Sequence, residues 1–430
     1  MSVLERVDHP DNGRPVRPHP TVDFRRWPAM RPPQPAPRRA AVARVLLRRV
    51  AYQTGVRIDF PDGRFFGPAD GPVLRLVRPD AFLARVGRAG KIGFGEAYMA
   101  GDWETDDLAT VLTRMASDIR TLVPPRLQWV RRFYEPRPPR HEDNDPTGSR
   151  RNISRHYDLS NELFSLFLDR TMTYSSALFE VPGESLADAQ ARKIERLLDV
   201  ARVGPDSRVL EIGTGWGELA IRAARRGARV TTLTLSTEQA ELARARVATE
   251  GLSDSVEVLI RDYRHATGAY DAVLSVEMIE AVGERWWPTY FRTLESRLVP
   301  GGRIGLQSIL MRHDGMVAAR NSWTWIHKYI FPGGIIPSTE SIATTVADHT
   351  GLRAVERYHF GLSYAETLKL WREKFDAEEK AVDRLGFDVT FRRMWDFYLA
   401  YSEAGFRSGY LDVAQYVFEK PARAGEGSRP

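Results

Sequence analysis

The stretch Val209-Leu210-Glu211-Ile212-Gly213-Thr214-Gly215-Trp216-Gly217-Glu218 constrains the fold more than any other part of the chain. An apolar run with an acidic residue near its end breaks into glycines at alternate positions, and a helix-compatible run, 218–226, follows. A buried parallel strand, a tight turn and a helix whose N-terminal amides face the turn account for that order. The spacing is G-x-G-x-G, not the G-x-G-x-x-G of dinucleotide sites. The next strand, 229–235, has no carboxylate at its tip to hold a ribose and leads into Ser236-Thr237-Glu238-Gln239.

From Arg208 onward the pattern alternates, with strands near 208–212, 229–235, 256–260, 271–276 and 303–309 and helices between them. That predicts an α/β fold with a parallel sheet covered by helices on both faces, binding its ligand outside the carboxyl ends of the strands. Ahead of it, 40–52 reads as a helix and 73–77 as a short strand, while Gly93 to Trp103 is a Gly/aromatic segment before a helix around 108–115. An aromatic insertion, with Trp323, Trp325, Tyr329 and Phe331, interrupts the alternation at 310–340. Helical patterns at 364–385 and 391–404 precede a last strand at 413–419. The expected organisation is a flexible basic arm at 1–38, a smaller N-terminal domain at 39–134 and a linker at 135–150. A catalytic domain at 151–421 and a disordered tail at 422–430 complete it.

Composition narrows the function. The 430 residues contain no cysteine, which excludes disulfides, thiolate zinc sites and a thiol nucleophile. Apolar content of 43% and charged content of 27% are those of a globular protein. No apolar run approaches the roughly 18 residues that span a bilayer. The start of the chain, with Asp8, Pro10 and Asp11, lacks the apolar core of a signal peptide and reads as cytoplasmic. Arg25, Arg26, Arg31, Arg38, Arg39, Arg44, Arg48 and Arg49 make the N-terminal stretch basic, suited to anionic lipid head groups. No aromatic–basic signature of RNA recognition accompanies them, which argues against nucleic acid. Neither a spaced metal-ligand cluster nor a G-x-S-x-G elbow is present.

The G-x-G-x-G turn is that of S-adenosylmethionine (SAM) methyltransferases, and further segments narrow the match. Arg155-His156-Tyr157-Asp158-Leu159-Ser160-Asn161, Met172-Thr173-Tyr174-Ser175-Ser176-Ala177 and Glu277-Met278-Ile279-Glu280-Ala281-Val282-Gly283 are three. Lys328-Tyr329-Ile330-Phe331-Pro332-Gly333-Gly334 and Ala404-Gly405-Phe406-Arg407 complete the series. Together they resemble the cyclopropane fatty-acid synthase and mycolic-acid methyltransferase family from about residue 90 to 420, most of all its actinobacterial branch making 10-methylene fatty acyl chains in the tuberculostearic acid pathway.

The resemblance implies a Rossmann-like SAM-dependent methyltransferase sheet and an N-terminal domain for lipid binding and dimerisation. It places Tyr174 and Ser175 on SAM from a lid loop, and Glu211, Gly213, Gly215, Trp216 and Gly217 around the methionine part. Thr234, Ser236 and Gln239 fall on the ribose side, Asp262 and Tyr263 near the adenine, and Val276 at the floor. Glu280, Ile309 and Tyr364 fall at the acyl site, where relatives hold a bicarbonate ion. Ser176 stands where the family has Cys and Gln307 where it has His. Serine retains the backbone amide and a hydroxyl donor, whereas glutamine donates but does not titrate near neutrality.

The implied reaction is methylation of the cis double bond of a phospholipid-bound oleoyl chain to a 10-methylene-stearoyl product, with cyclopropane formation as the alternative. Methyl transfer leaves a carbocation, so water must be excluded and a base must stand near the new methyl group. Aromatic side chains stabilise such a cation, and Trp216, Tyr263, Trp323, Trp325 and Tyr364 are the candidates. Glu280 is the candidate to orient the base or to serve as it. Implied partners are unsaturated membrane phospholipid, an anionic surface at the inner face of the plasma membrane, a reductase and a second copy of the chain.

Overall fold

The computed structural model describes residues 22–117, 160–320 and 322–422. The linker at 135–150, His156 and most of the segment around it, and the tail beyond residue 422 lie outside these residues. The described part of Met1–Arg137, with Ser322–Ile330 and Trp371–Tyr410, forms one compact unit; the rest forms a second.

In the first unit, helix α1 (Pro37–Thr54) packs on α2 (Pro79–Ala100), and both α2 and α3 (Leu108–Ser117) pack on the helix Val389–Arg407. A small sheet runs β2-β1-β3-β4, with β1 Arg57–Asp59, β2 Phe65–Phe66, β3 Val73–Leu76 and β4 Trp103–Glu104. The Gly/aromatic segment is mostly helical, forming the end of α2. Its glycines serve close packing: a Cβ on Gly93 would lie 2.2 Å from the Arg85 carbonyl oxygen, across the kink at Gly90. The candidate Trp325 is buried in this unit, its ring 4.7 Å from Phe397. His327 accepts from the Thr324 amide, and Lys328 and Tyr329 bond Glu96, so these insertion residues have structural partners.

The second unit is a seven-stranded sheet in the order β10-β11-β9-β8-β5-β6-β7. The strands are β5 Arg208–Ile212, β6 Arg229–Thr234, β7 Val256–Ile260, β8 Tyr270–Val276, β9 Leu298–Met311, β10 Arg353–His359 and β11 Leu411–Glu419. Leu210 and Ile212 of β5 join a core with helices α7 (Trp287–Arg297) and α8 (Thr339–His349), while Val209 joins the opposite core with α4 (Leu186–Val200), α5 (Glu218–Arg225) and α6 (Thr237–Thr249). This alternation is how one strand feeds two helical layers.

Two expectations need correction. β5 to β9 are parallel, but β11 runs antiparallel to both β9 and β10, so the sheet is mixed. β10 was not anticipated, because every residue of this edge strand is exposed and its apolar residues, Ala354, Val355 and Tyr358, do not alternate with polar ones. The expected helix at 364–385 is two, Gly361–Ala377 and Glu379–Arg384.

Candidate active site

The chain direction reverses across the sheet between β5, which is followed outward by β6 and β7, and β8 on its other side. A crevice at the carboxyl ends of strands forms at such a switch point. Gly213, Gly215 and Gly217 follow β5 with φ of 97°, 50° and 90°, the left-handed region where a side chain is penalised. Gly213 is also needed for space, since a Cβ there would lie 2.6 Å from Cγ of Met278 in the loop after β8. At Gly215 a Cβ would meet nothing within 4 Å, so the turn opens onto free space. Beneath it Glu211 is buried and accepts from Thr232 Oγ1 at 2.6 Å; burial pushes its carboxyl up to about 8.

Around this turn the sequence-predicted ligand residues have defined partners. Trp216 Nε1 donates to Asn161 at 2.7 Å and its ring packs at a tilt on Phe164, which in turn contacts Tyr174. After β6, Thr234, Ser236 and Gln239 are buried and bonded to one another. Thr234 Oγ1 donates to Gln239 Oε1 at 3.0 Å, and Ser236 Oγ caps α6 by accepting from the Gln239 amide. After β7, burial raises the Asp262 carboxyl, but its bonds from Arg264 outweigh that and hold it below the usual range. Tyr263 leans on Tyr290 with ring centroids 5.2 Å apart, and its buried hydroxyl has no hydrogen-bond partner.

A second cluster gathers at the tips of β8 and β9. Glu277, with φ of 51°, accepts on one carboxylate oxygen from the Ser176 amide at 3.0 Å and Gln307 Nε2 at 2.8 Å. Its other oxygen accepts from the Tyr364 hydroxyl at 2.7 Å. Glu280 accepts from Ser308 Oγ at 2.9 Å and the Ile309 amide at 2.6 Å, and its second oxygen is buried without a partner. Burial, then the charge of Glu277, pushes the Glu280 carboxyl up to about 8. Lys193 of α4 is buried beneath the cluster and donates to Ser175 Oγ at 2.6 Å. Desolvation lowers its ammonium to about 8 against the pull of Glu277, Asp169 and Glu211.

Ser176, Gln307 and Tyr364 thus converge, Ile309 joins Glu280 beside them, and Val276 ends β8 next to Glu277. The Ser176 hydroxyl turns away to the Ala177 carbonyl, leaving its backbone amide and carbonyl in the cluster. Glu277 and Lys193 were missed as site residues. Nothing in a strand-end Glu or a helical Lys announces burial, which tertiary packing alone creates. Bicarbonate does not fit the three-donor cradle, because the Glu277 carboxylate engages all three donors.

The neutral carboxyls have a measurable consequence. Glu211 and Glu280 stay protonated in the fold up to about pH 8, whereas an ordinary glutamate loses its proton near 4.5. Between those values the folded chain binds more protons than the unfolded one. Stability therefore falls as pH rises, by about 1.4 kcal/mol per unit for each retained proton. Lys193 acts oppositely: its value of about 8 lies below the ordinary 10.5, so stability recovers above about pH 8. Urea unfolding across this range should show a minimum near pH 8, with a shallower acid limb in Glu280→Gln. A level curve from about pH 5 to 8 would contradict the neutral carboxyls.

Residues 144–416 match the model of the mycolic acid cyclopropane synthetase family. The chain belongs to that family. It is 52% identical over 412 residues to the tuberculostearic acid methyltransferase UfaA1 of Mycobacterium tuberculosis, covering 93% of this chain and 96% of the relative. The cyclopropane-fatty-acyl-phospholipid synthase of Escherichia coli is 34% identical across 83% of this chain and 90% of its own. The crystal structure of the mycolic acid cyclopropane synthase CmaA1 complexed with SAH and CTAB superposes with a TM-score of 0.58 at 30% identity, covering 63% of this chain and 98% of that one. The chain is a SAM-dependent lipid methyltransferase with a Rossmann-like catalytic sheet.

Proposed function

We propose that this methyltransferase methylates the cis double bond of a phospholipid-bound oleoyl chain at C10 and releases a 10-methylene-stearoyl phospholipid. The observation that carries the reading is the half-buried, hydrogen-bonded pair of carboxyl groups, Glu277 and Glu280, beside a glycine turn open to a cofactor. The 52% identity to a tuberculostearic acid methyltransferase supports the same product class.

SAM supplies a methyl group made electrophilic by its sulfonium. The open turn at Gly213, Gly215 and Gly217 and the buried Glu211 suit its amino-acid end, with Tyr174 and Ser175 above. Thr234, Ser236 and Gln239 take the ribose side, Asp262 and Tyr263 the adenine, and Val276 the floor. An alkene is a weak nucleophile, so the protein must align it with the methyl carbon and keep water from the resulting cation. Tyr364 presents an aromatic face to that charge. Hydride shift from the methylated carbon to its neighbour, then loss of a proton from the new methyl group, forms the exocyclic double bond. Glu280, neutral, fixes the Ile309 strand segment, and the cluster provides the proton acceptor.

Among the described residues no helix is long and apolar enough to cross a membrane. Helix α1 nonetheless exposes Val42, Val45, Leu46 and Tyr52, with Arg38, Arg39, Arg48 and Arg49 also exposed along it. This face, continued by the basic arm, docks on the anionic inner leaflet of the plasma membrane, apolar side chains entering the interface. A homodimer and a separate reductase that saturates the methylene complete the reading.

Purified protein incubated with SAM and oleoyl phospholipid vesicles should add one CH₂ to the acyl chain. Ozonolysis should then place a methylene at C10. A cyclopropane as the sole product would refute the methylene assignment, and a saturated methyl branch would remove the need for a reductase. Turnover should fall when anionic lipid is omitted; equal turnover would refute electrostatic docking. Sedimentation of the same preparation as a monomer would exclude the dimer.

A further inference from the structure

We propose that Glu277 is the catalytic base of the reaction, its carboxylate built into the chain at the place where the family resemblance puts a bicarbonate ion. The inference rests on the methyl transfer to an unsaturated acyl chain set out above.

The geometry is that of a filled anion cradle. The Ser176 amide, Gln307 Nε2 and the Tyr364 hydroxyl, from three separate segments, all donate to this one carboxylate, at 3.0, 2.8 and 2.7 Å. Gln307 is locked as a donor, because its own carbonyl oxygen already accepts from Gln415 Nε2 at 3.1 Å. A histidine is therefore not required: a neutral amide suits a carboxylate that is covalently held and need not be captured from solution.

The backbone reinforces the point. Glu277 is one of four described non-glycine residues with positive φ, at 51°, a conformation that costs a glutamate about 1 kcal/mol or more. Its amide donates to the Gln307 carbonyl at 2.8 Å, which pins the turn beside the donor it uses. Strain held this way at the tip of a central strand is characteristic of functional sites.

The electrostatics divide labour between the two carboxyls. Burial raises Glu277, but Lys193, the Ser176 amide, Tyr364 and Gln307 all favour its charged form. Glu280 has no such cation among its causes and is pushed further up by the charge of Glu277. Glu277 is thus raised on balance yet drawn toward its charged form by a cation and three donors, whereas Glu280 lacks the cation, a difference of surroundings that separates the roles of paired carboxyls. Glu277 is half-buried, not fully enclosed.

In the step itself, a C–H bond of the newly added methyl group breaks. Its electron pair becomes the second bond of the exocyclic methylene, discharging the cationic carbon. The proton passes to the Glu277 oxygen that faces Tyr364 and leaves to solvent after product release. No further reactant is needed.

The test compares wild type, Glu277→Gln and Glu277→Gly in bicarbonate-free and bicarbonate-supplemented buffer, with SAM and oleoyl vesicles. Wild type should turn over equally in both, and Glu277→Gln should lose about 10²–10⁴-fold while retaining SAM affinity. Glycine tolerates the positive φ, so Glu277→Gly should fold well, and its emptied cradle should make activity depend on added bicarbonate. ¹³C NMR of labelled bicarbonate should detect binding to Glu277→Gly and none to wild type. Wild-type turnover that collapses without bicarbonate, bicarbonate binding to wild type, or full activity in Glu277→Gln would overturn the inference. If wild type binds SAM yet methylates no oleoyl chain, the substrate reading fails instead, and the NMR comparison still decides whether Glu277 fills the cradle.

Discussion

Lys193→Met should abolish the recovery of stability above about pH 8, because the ammonium that loses its proton there is gone. The side chain is 1% exposed, and its positive charge acts on Glu277, Asp169, Glu211 and Glu218. Methionine matches the stem in length and volume, so packing changes little and the loss reports on charge. With the cation gone, the carboxyls of Glu277 and Glu211 lose a contribution that holds them down, and both move further up. The pH at which methyl transfer sets in should rise accordingly. Urea unfolding with a pH–rate profile measures both effects. A rise in stability above pH 8 that persists in Lys193→Met would mean that another group titrates there.

Arg85→Met should destabilise the N-terminal unit by about 3 kcal/mol. Arg85 is 5% exposed and Asp102 1%, and Nε donates to Oδ2 at 2.7 Å. The same guanidinium donates to the carbonyls of Ala29, Met30 and Arg31, tying the segment before α1 onto α2. Methionine removes every one of these donors at once. Arg78 still reaches Asp102 at 2.8 Å, but it is half exposed and does not replace the bonds to the segment. Calorimetry should show the loss, and limited trypsinolysis should cut faster at Arg26, in the same segment. Unchanged cleavage at Arg26 would show that other contacts hold the segment.

The difference between these two lysine and arginine sites and the glycine turn is one of range. Gly213, Gly215 and Gly217 sit on a strand–turn–helix that local chemistry dictates, so the turn, the strands β5 to β9 and the cofactor class were legible from the sequence. The mixed character of the sheet was not, because β10 is an exposed edge strand whose composition resembles a loop. Glu277 stood inside a recognised motif but went unsingled. A carboxylate after a strand looks like any other until Ser176, Gln307 and Tyr364 arrive from 101, 30 and 87 residues away.

By itself the sequence determined the Rossmann-like frame, the glycine turn and family membership. Hydrophobic periodicity and turn chemistry are local and survive being read one residue at a time. Tertiary structure alone decided which carboxyl occupies the donor cradle, which stays neutral and which lysine balances them. Those are properties of burial and of a few ångströms between distant segments, and desolvation acts only once the chain has closed around the groups.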